Sequence, residues 1–277
     1  MSRSNARVGD EAAIAAVPHQ RSGDELVESA ADAFFATWAA MCATLPGGTF
    51  VEEAGVVRAR MGLPVPAFNG VWSAQRQVSA DDVLAAVDDF ASGDLPWNVQ
   101  LRPGYPAELD EALRARDLVC TEDVPFMLLP DVSAVTAPMT PSMREVVSFT
   151  DVDAALTLIE QGFDMPVELC RGLLPIRMLF LPGTTTWLAR DDDDVDVSTA
   201  LSTVHGDMCG IFNVATPAEH RGRGYGRAAT AQAVARSGAR SAYLQSSPMG
   251  YSVYEAMGFH TTERWRQWMP AEYVDQH

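Results

Sequence analysis

One segment of the chain, residues 210–227, restricts its fold more than any other. An apolar stretch, Ile211–Thr216, leads through a turn into the glycine-rich sequence Arg-Gly-Arg-Gly-Tyr-Gly-Arg at 221–227, and an alanine-rich stretch follows. A strand, a glycine-rich turn and a helix N-terminus in this order form an anion site, because glycines let the backbone approach a phosphate and the free N–H groups of the first helical turn point at it. The segment therefore predicts an α/β fold with a phosphate-bearing ligand.

Two common nucleotide-binding motifs do not fit this loop. A Walker loop ends in Gly-Lys-Ser/Thr, which this loop lacks. A dinucleotide fingerprint has GxGxxG and an acidic residue after the next strand. Here Gly222, Gly224 and Gly226 alternate with single residues, and the next predicted strand ends in Gln-Ser-Ser.

The spacing of Arg221, Gly224 and Gly226 matches the R/Q-x-x-G-x-G/A signature of the GNAT superfamily of N-acetyltransferases. Residues 247–259, SPMGYSVYEAMGF, resemble that family's N-x-x-A-x-x-x-Y-x-x-x-G-F element, with Tyr254 at the tyrosine position. The loop and the element stand in the family's order, each after a strand-like stretch. The second half of the chain is therefore identified by resemblance as GNAT-like, and the first half resembles the family in outline.

The resemblance implies that acetyl-CoA, or a close acyl-CoA, is the acyl donor. It also implies that one strand pairs with the pantetheine arm and that the loop holds the pyrophosphate. The implied cofactor-binding residues are Val214, Ala215, Thr216, Arg221, Gly222, Arg223, Gly224, Tyr225, Gly226, Arg227, Ser247 and Tyr251.

Some of these assignments have alternatives. The side chains of the three loop arginines either contact the cofactor or are solvated surface charges. Ser247 stands where many members of the family have Asn, and the helix after the loop is about one turn short before Gly238. Loss of one whole turn keeps the phase of a helix, so we expect the fold to persist.

The implied chemistry is direct attack of an amine on the thioester. Tyr254 is the candidate general acid for the departing thiolate, since a positioned phenol can donate that proton; core packing is its alternative role. A backbone N–H of the Val214–Thr216 strand would polarise the thioester carbonyl. No Cys or Ser lies in a nucleophile motif, so no covalent intermediate is expected.

The general base is left open by the sequence. Glu219, His205 and Asp207 are candidates by proximity in the chain, and a chain of water molecules is an equal alternative. His220 is interpreted as a turn residue.

The pattern of apolar residues and of proline and glycine predicts alternating helices and strands in two units. Residues 1–24 are expected to be poorly ordered, 25–129 form a first domain, 130–142 a linker and 143–277 the catalytic domain. The predicted helices are Leu26–Leu45, one starting at Ser79, Pro106–Arg116, Asp151–Gln161, Arg227–Ala235 and Gly250–Met257. The predicted strands are Thr49–Val57, Gly70–Ser73, Trp97–Leu101, Pro125–Leu129, Thr185–Arg190, Val197–Val204, Cys209–Ala215, Ala242–Gln245 and Glu263–Met269.

The first half looks like a degenerate copy of the second. It has no glycine-rich loop between Ser73 and Ser79, and Asp117-Leu118 stands where Gly-Phe would be. The sequence of residues 118–122 nevertheless aligns with that of residues 259–263. This similarity indicates either an internal repeat or a chance match. The predicted fold class is α/β with a mixed sheet (α+β), as two tandem GNAT-like domains of which the second is active.

Composition limits the partners. The formal net charge of −17 repels nucleic acid and mildly favours an amine acceptor. We find no membrane-spanning run and no signal-peptide pattern, so a cytoplasmic protein is expected. The four cysteines form no CxxC pair and the acidic run 191–194 is typical of a hairpin turn, so no metal is expected, although a cation site in that run is the alternative.

The acceptor and a possible homodimer are left open by the sequence. Two other functions also remain: a non-catalytic acyl-CoA sensor, and an interaction module that binds another phosphate ligand or an acidic protein through the arginine loop.

Overall fold

The computed structural model describes residues 21–136 and 141–274. Most of the predicted disordered N-terminus, and residues 137–140 of the predicted linker, therefore lie outside the described residues.

Eight α-helices are present in the described part of the chain, and serine side chains begin several of them. Ser22, Ser79 and Ser148 each accept a hydrogen bond from the backbone N–H three residues further on, which is the geometry of an N-cap. The helices are α1 Gly23–Thr44, α2 Ala80–Ala91, α3 Glu108–Arg114, α4 Phe149–Phe163, α5 Val167–Leu173, α6 Tyr225–Arg236, α7 Tyr251–Glu255 and α8 Ala271–Val274.

Eleven strands of the described chain form one sheet, in the order β1-β2-β3-β4-β11-β5-β10-β9-β8-β7-β6. Neighbouring strands are antiparallel except in the pairs β3·β4 and β9·β10, which are parallel. The strands are β1 Thr49–Glu53, β2 Val56–Arg60, β3 Asn69–Ser73, β4 Asn98–Leu101, β5 Leu118–Leu129, β6 Ser142–Glu145, β7 Thr184–Arg190, β8 Asp196–His205, β9 Met208–Ala215, β10 Ser241–Gln245 and β11 His260–Pro270.

The two halves of the chain exchange their last strands. β11 lies between β4 and β5, and β5 lies between β11 and β10. β5 and β11 are antiparallel over nearly their full lengths, from Leu118 opposite Pro270 to Leu128 opposite His260. Each half of the sheet is therefore completed by the other half of the sequence, while the division into residues 25–129 and 143–277 stays a prediction.

The helices cover both faces of the sheet. α1, α4 and α5 share one buried cluster, which includes Phe34, Leu156 and Leu173. α6 packs on the other face with β7 to β10, and α2 and α3 form a third cluster with β3 and β4. Residues 228–234 of α6 are all buried, mostly as alanine, so the helix lies close to the sheet.

Most predicted elements are confirmed, and three differ for identifiable reasons. The predicted strand Thr49–Val57 is two strands, because Ala54 and Gly55 form a tight turn with φ of +51° and +75°. β5 and β11 are longer than predicted, because the two strands pair with each other along nearly their whole lengths, including exposed polar residues such as Glu122 and His260. β6, α5 and α8 were not predicted.

The acidic run is a hairpin turn as predicted, with the Asp191 carboxylate accepting hydrogen bonds from the N–H groups of Asp193 and Val195. Within residues 21–136 and 141–274 no helix is long and apolar enough to cross a membrane. No group of His, Cys, Asp or Glu in the same residues could hold a metal ion.

Candidate active site

A slot opens in the sheet between β9 and β10. The two strands pair only from Met208–Gly210 to Ser241–Tyr243 and then part, although β9 continues to Ala215. A bulge interrupts the pairing of β9 with β8, and Asn213 at the bulge has a φ of +49°. A bulge frees backbone groups from the ladder and re-aims them. An extended ligand could therefore pair with this part of β9.

The glycine-rich loop follows β9 after a short turn, residues 216–220. Gly224 is the N-cap residue of α6 with φ of +81°, and within the described chain no side chain caps this helix. The first N–H groups of α6 are therefore available to an anion. Gly226 lies against β9: a Cβ there would be 3.1 Å from the Thr216 hydroxyl.

A cavity of about 600 Å³ adjoins the loop. Arg223, Gly224, Tyr225 and Arg227 form one wall, and Met257 from the region after α7 forms part of another. Arg223 and Arg227 are exposed, so their cationic side chains are free to meet phosphate groups in an otherwise acidic protein.

The side chain of Arg221 is used differently from those of the other two loop arginines. Its Nε donates to the Thr216 carbonyl at 3.0 Å, and its Nη2 donates to the Gly162 carbonyl at 2.7 Å. The sequence did not separate this arginine from Arg223 and Arg227, because its partner Gly162 lies on a helix far away in the chain.

Tyr254 lies on α7 and packs against the same buried cluster as Val214 of β9. Its ring centre is 6.0 Å from that of Phe259. Burial raises the pKa of Tyr254 to about 12, against a smaller opposite effect of a hydrogen bond with the Thr230 side chain on α6. The phenol is therefore protonated at neutral pH and can act as a proton donor.

No protein-family model matches the chain, and no curated protein matches it. Several solved structures, by contrast, match the chain. A GCN5-related N-acetyltransferase from Kribbella flavida superposes with a TM-score of 0.66 at 19% identity, covering 89% of this chain and 98% of its own. A tandem GNAT protein from the clavulanic acid biosynthesis pathway gives 0.52 at 14% identity, covering 89% and 95%. A GCN5-related N-acetyltransferase from Sphaerobacter thermophilus gives 0.52 at 16% identity, covering 78% and 80%.

The chain has the tandem GNAT fold. The Kribbella flavida chain and the tandem GNAT chain each align over 89% of this protein and over nearly their own full lengths, so the likeness includes both halves of the sheet.

In this GNAT fold, side chains from a neighbouring strand fix the end of β9. The Ser198 hydroxyl on β8 donates to the Ala215 carbonyl at 2.9 Å and lies 2.9 Å from the Thr216 hydroxyl. Ala215 is buried on the α4 side, whereas Val214 points towards α6. The segment predicted to pair with the pantetheine arm is therefore held in place by contacts within the protein.

Ser247 and Tyr251 follow β10 on the other side of the slot. The Ser247 hydroxyl accepts a hydrogen bond from the Gly250 N–H at 3.2 Å and so helps to begin α7. The Tyr251 hydroxyl lies 3.1 Å from that of Thr261 on β11. Gly222, in the glycine-rich loop, has a φ of +76°, and no atom lies within 4 Å of a Cβ built at this position.

Two of the three candidate general bases lie at the end of β9 away from the glycine-rich loop. His205 and Asp207 flank the turn that precedes β9, about 25 Å along this eight-residue strand from the loop. Burial lowers the pKa of His205, and Asp207 pairs with Arg21. Glu219 is exposed in the turn before the loop. The His220 ring packs towards Tyr225, with centres 6.3 Å apart.

The described part of the first half, residues 21–129, has no corresponding opening between its strands. β3 and β4 also pair in parallel over three residues, but Arg102 follows and fills the space beyond. The Arg102 N–H donates to the Ser73 hydroxyl at 2.7 Å, and its guanidinium donates to the Ala74 carbonyl at 2.6 Å. Glu28 and Glu263 bind the remaining guanidinium N–H groups.

Proposed function

We propose that the chain transfers an acyl group, acetyl in the first instance, from acyl-CoA to an amine in the slot between β9 and β10. One observation carries the proposal: β9 and β10 stop pairing after Gly210 and Tyr243, and β9 then leads through a turn to a helix with Gly224 at its N-cap. The first N–H groups of this helix have no side-chain cap among the described residues. An extended donor with a phosphate at one end fits that pair of features.

In this proposal the donor lies along β9, with its pantetheine arm on Val214, Ala215 and Thr216. Its pyrophosphate lies on the backbone of residues 221–227, and the rest of the nucleotide occupies the cavity beside Arg223 and Arg227. Ser247 and Tyr251 border the other side. Helix N-termini and arginine side chains both favour phosphate groups, so the charges agree with this direction of binding.

The reaction proceeds by direct attack. The amine nitrogen forms a bond to the thioester carbon, and a backbone N–H near the β9 bulge stabilises the developing oxyanion. The C–S bond then breaks, and the Tyr254 hydroxyl gives its proton to the departing thiolate. The attacking amine loses its proton to water, from which Tyr254 is reprotonated.

The test is release of free CoA from acetyl-CoA in the presence of a panel of amines: aminoglycosides, polyamines, amino acids and peptides with free N-termini. Turnover with at least one class is expected. Tight acetyl-CoA binding without turnover on any amine would favour the sensor instead. Equal affinity for ATP or NAD, measured by calorimetry, would contradict the proposed donor.

A further inference from the structure

α4 and α5 lie on the face of the sheet opposite α6. They share a buried cluster with α1, Phe212 and Ala215, whereas α6, Val214 and Tyr254 belong to the cluster on the other face. If the donor phosphates occupy the α6 side of the slot, an acceptor has to reach the thioester from the α4–α5 side. α4 and α5 then line the acceptor side of the slot, and we call these two helices the acceptor wall.

Arg221 ties the end of α4 to the end of β9. Its guanidinium donates to the carbonyls of Gly162, in the last turn of α4, and of Thr216. α4 ends at Asp164, whose φ of +52° is the left-handed geometry of a helix C-terminus. A cation that binds a carbonyl in the last turn also interacts favourably with the helix dipole. Arg221 is thus a C-cap supplied from the donor loop.

Asn213 does the same for α5. Its Nδ2 donates to the carbonyl of Leu173, the last residue of α5, at 3.0 Å. Asn213 sits at the bulge in β9 with a positive φ, a conformation that costs energy for a residue other than glycine. The bulge that opens the slot therefore also aims this side chain at α5.

A third contact, at Gly162, packs α4 tightly against the end of β9. A Cβ on Gly162 would lie 2.8 Å from the Ala215 Cβ and 3.1 Å from the Thr216 nitrogen. Real Cβ atoms do not approach that closely, so α4 touches β9 with no room for a side chain. One short segment, residues 213–221, thus holds the ends of both helices.

We propose that Arg221 and Asn213 are positioning residues that couple the donor site to the acceptor wall, an inference that rests on the proposed function. A ligand that orders residues 213–221 orders the caps of α4 and α5 with them. Coupling of this kind is reciprocal, so a docked acceptor would in turn tighten donor binding. Neither side chain needs to touch CoA.

Hydrogen exchange measured by mass spectrometry, with CoA as the probe, tests the proposal. In the wild-type chain CoA should slow exchange in the first turns of α6. It should also slow exchange in α4 and α5 by about fivefold or more, the lower end of coupling between sites. In Asn213→Gly, which keeps the positive φ and removes the amide, the α6 response should remain and the α5 response should be lost.

Asp164→Gly is the matched control, because it also places glycine at a position of left-handed geometry, at the end of α4, and leaves the contacts of Arg221 and Asn213 intact. It should respond to CoA like the wild type. Arg221→Leu should lose the α4 response while its backbone N–H remains.

The outcomes separate the two claims. If CoA protects α6 but not α4 and α5 in the wild type, the coupling is wrong and the proposed function stands. A wild-type response in both Asn213→Gly and Arg221→Leu would also overturn the coupling. If CoA protects none of these helices, the proposed donor site and the coupling both fall.

Discussion

Arg102 and Glu263 form a two-point ion pair across the two halves of the chain. Nε and Nη2 of Arg102 each donate to the Glu263 carboxylate at 2.9 Å, and both side chains are almost fully buried. Arg76 and the Trp265 indole N–H also donate to this carboxylate, at 2.6 and 2.7 Å. The pair occupies the place in the first half that corresponds to the slot in the second.

The first prediction is that one chain binds one CoA. The space beyond β3 and β4 is filled by the Arg102 side chain, and the first half lacks a glycine-rich loop. Calorimetric titration with acetyl-CoA should therefore give a stoichiometry of one, and two equivalent sites would show that the first half is misinterpreted.

The second prediction concerns stability and pH. Burial raises the pKa of Glu263, but hydrogen bonds from Arg102, Arg76 and Trp265 outweigh it, and the net pKa is lowered. A lowered folded-state pKa stabilises the protein above the unfolded value of about 4.3, and this stability is lost as pH falls through the folded value.

Glu263→Gln should therefore destabilise the protein by about 3–5 kcal/mol at pH 7, because it leaves Arg102 buried with less opposite charge. The Glu263→Gln variant should also lose less stability than the wild type as the pH falls from about 7 to 3. Glu53→Gln is the control, since Glu53 pairs with Arg58 at 3.1 Å but is largely exposed; about 0.5 kcal/mol or less is expected. Chemical denaturation from pH 3 to 7 measures both, and similar losses in the two variants would refute the assignment.

The third prediction uses two glycines of like geometry. Gly224 and Gly238 have φ of +81° and +72°, and neither has an atom within 4 Å of a built Cβ. Valine imposes similar backbone strain at both positions. Only at position 224 would its side chain occupy the space proposed for the pyrophosphate of CoA. Gly224→Val should abolish acetyl-CoA binding and Gly238→Val should retain it. Unchanged calorimetric affinity in Gly224→Val would remove the loop from the site.

The fourth prediction concerns the Tyr254 hydroxyl. Tyr254→Phe keeps the ring and its packing on Phe259, so acetyl-CoA affinity should change little. Turnover should fall by about one to a few powers of ten, as expected for a lost general acid. Because burial raises the pKa of Tyr254 to about 12, activity should show no ionisation of this group between about pH 7 and 10.

Tyr105→Phe is the control for this variant. It removes another partly buried hydroxyl, which donates to Asp110 at 2.8 Å in the first half, and should leave turnover unchanged. If Tyr254→Phe keeps near-normal turnover on a confirmed acceptor, water becomes the proton donor.

The loop and the Tyr254 helix could be predicted because each is local: residue types a few positions apart determine what they do. α1 was equally predictable, since its apolar residues repeat at helical spacing. The exchange of β5 and β11 was not, because it depends on pairing between segments far apart in the chain.

The same limit applies to individual side chains. Arg102 has no signature of burial until its partners on α1 and β11 are known. The roles of Arg221 and Asn213 likewise depend on helix ends that only the folded chain brings near.

The exchange of β5 and β11 also governs when the protein can be completed during synthesis. The ribosome delivers β4 and β5 well before β11, which has to lie between them. Until residues 260–270 emerge, the first half carries open strand edges, which invite pairing with other chains. Nascent chains arrested before β11 should therefore be open to protease in both halves. Neither half can mature ahead of the other, so the translation of β11 decides when both sheet halves are complete.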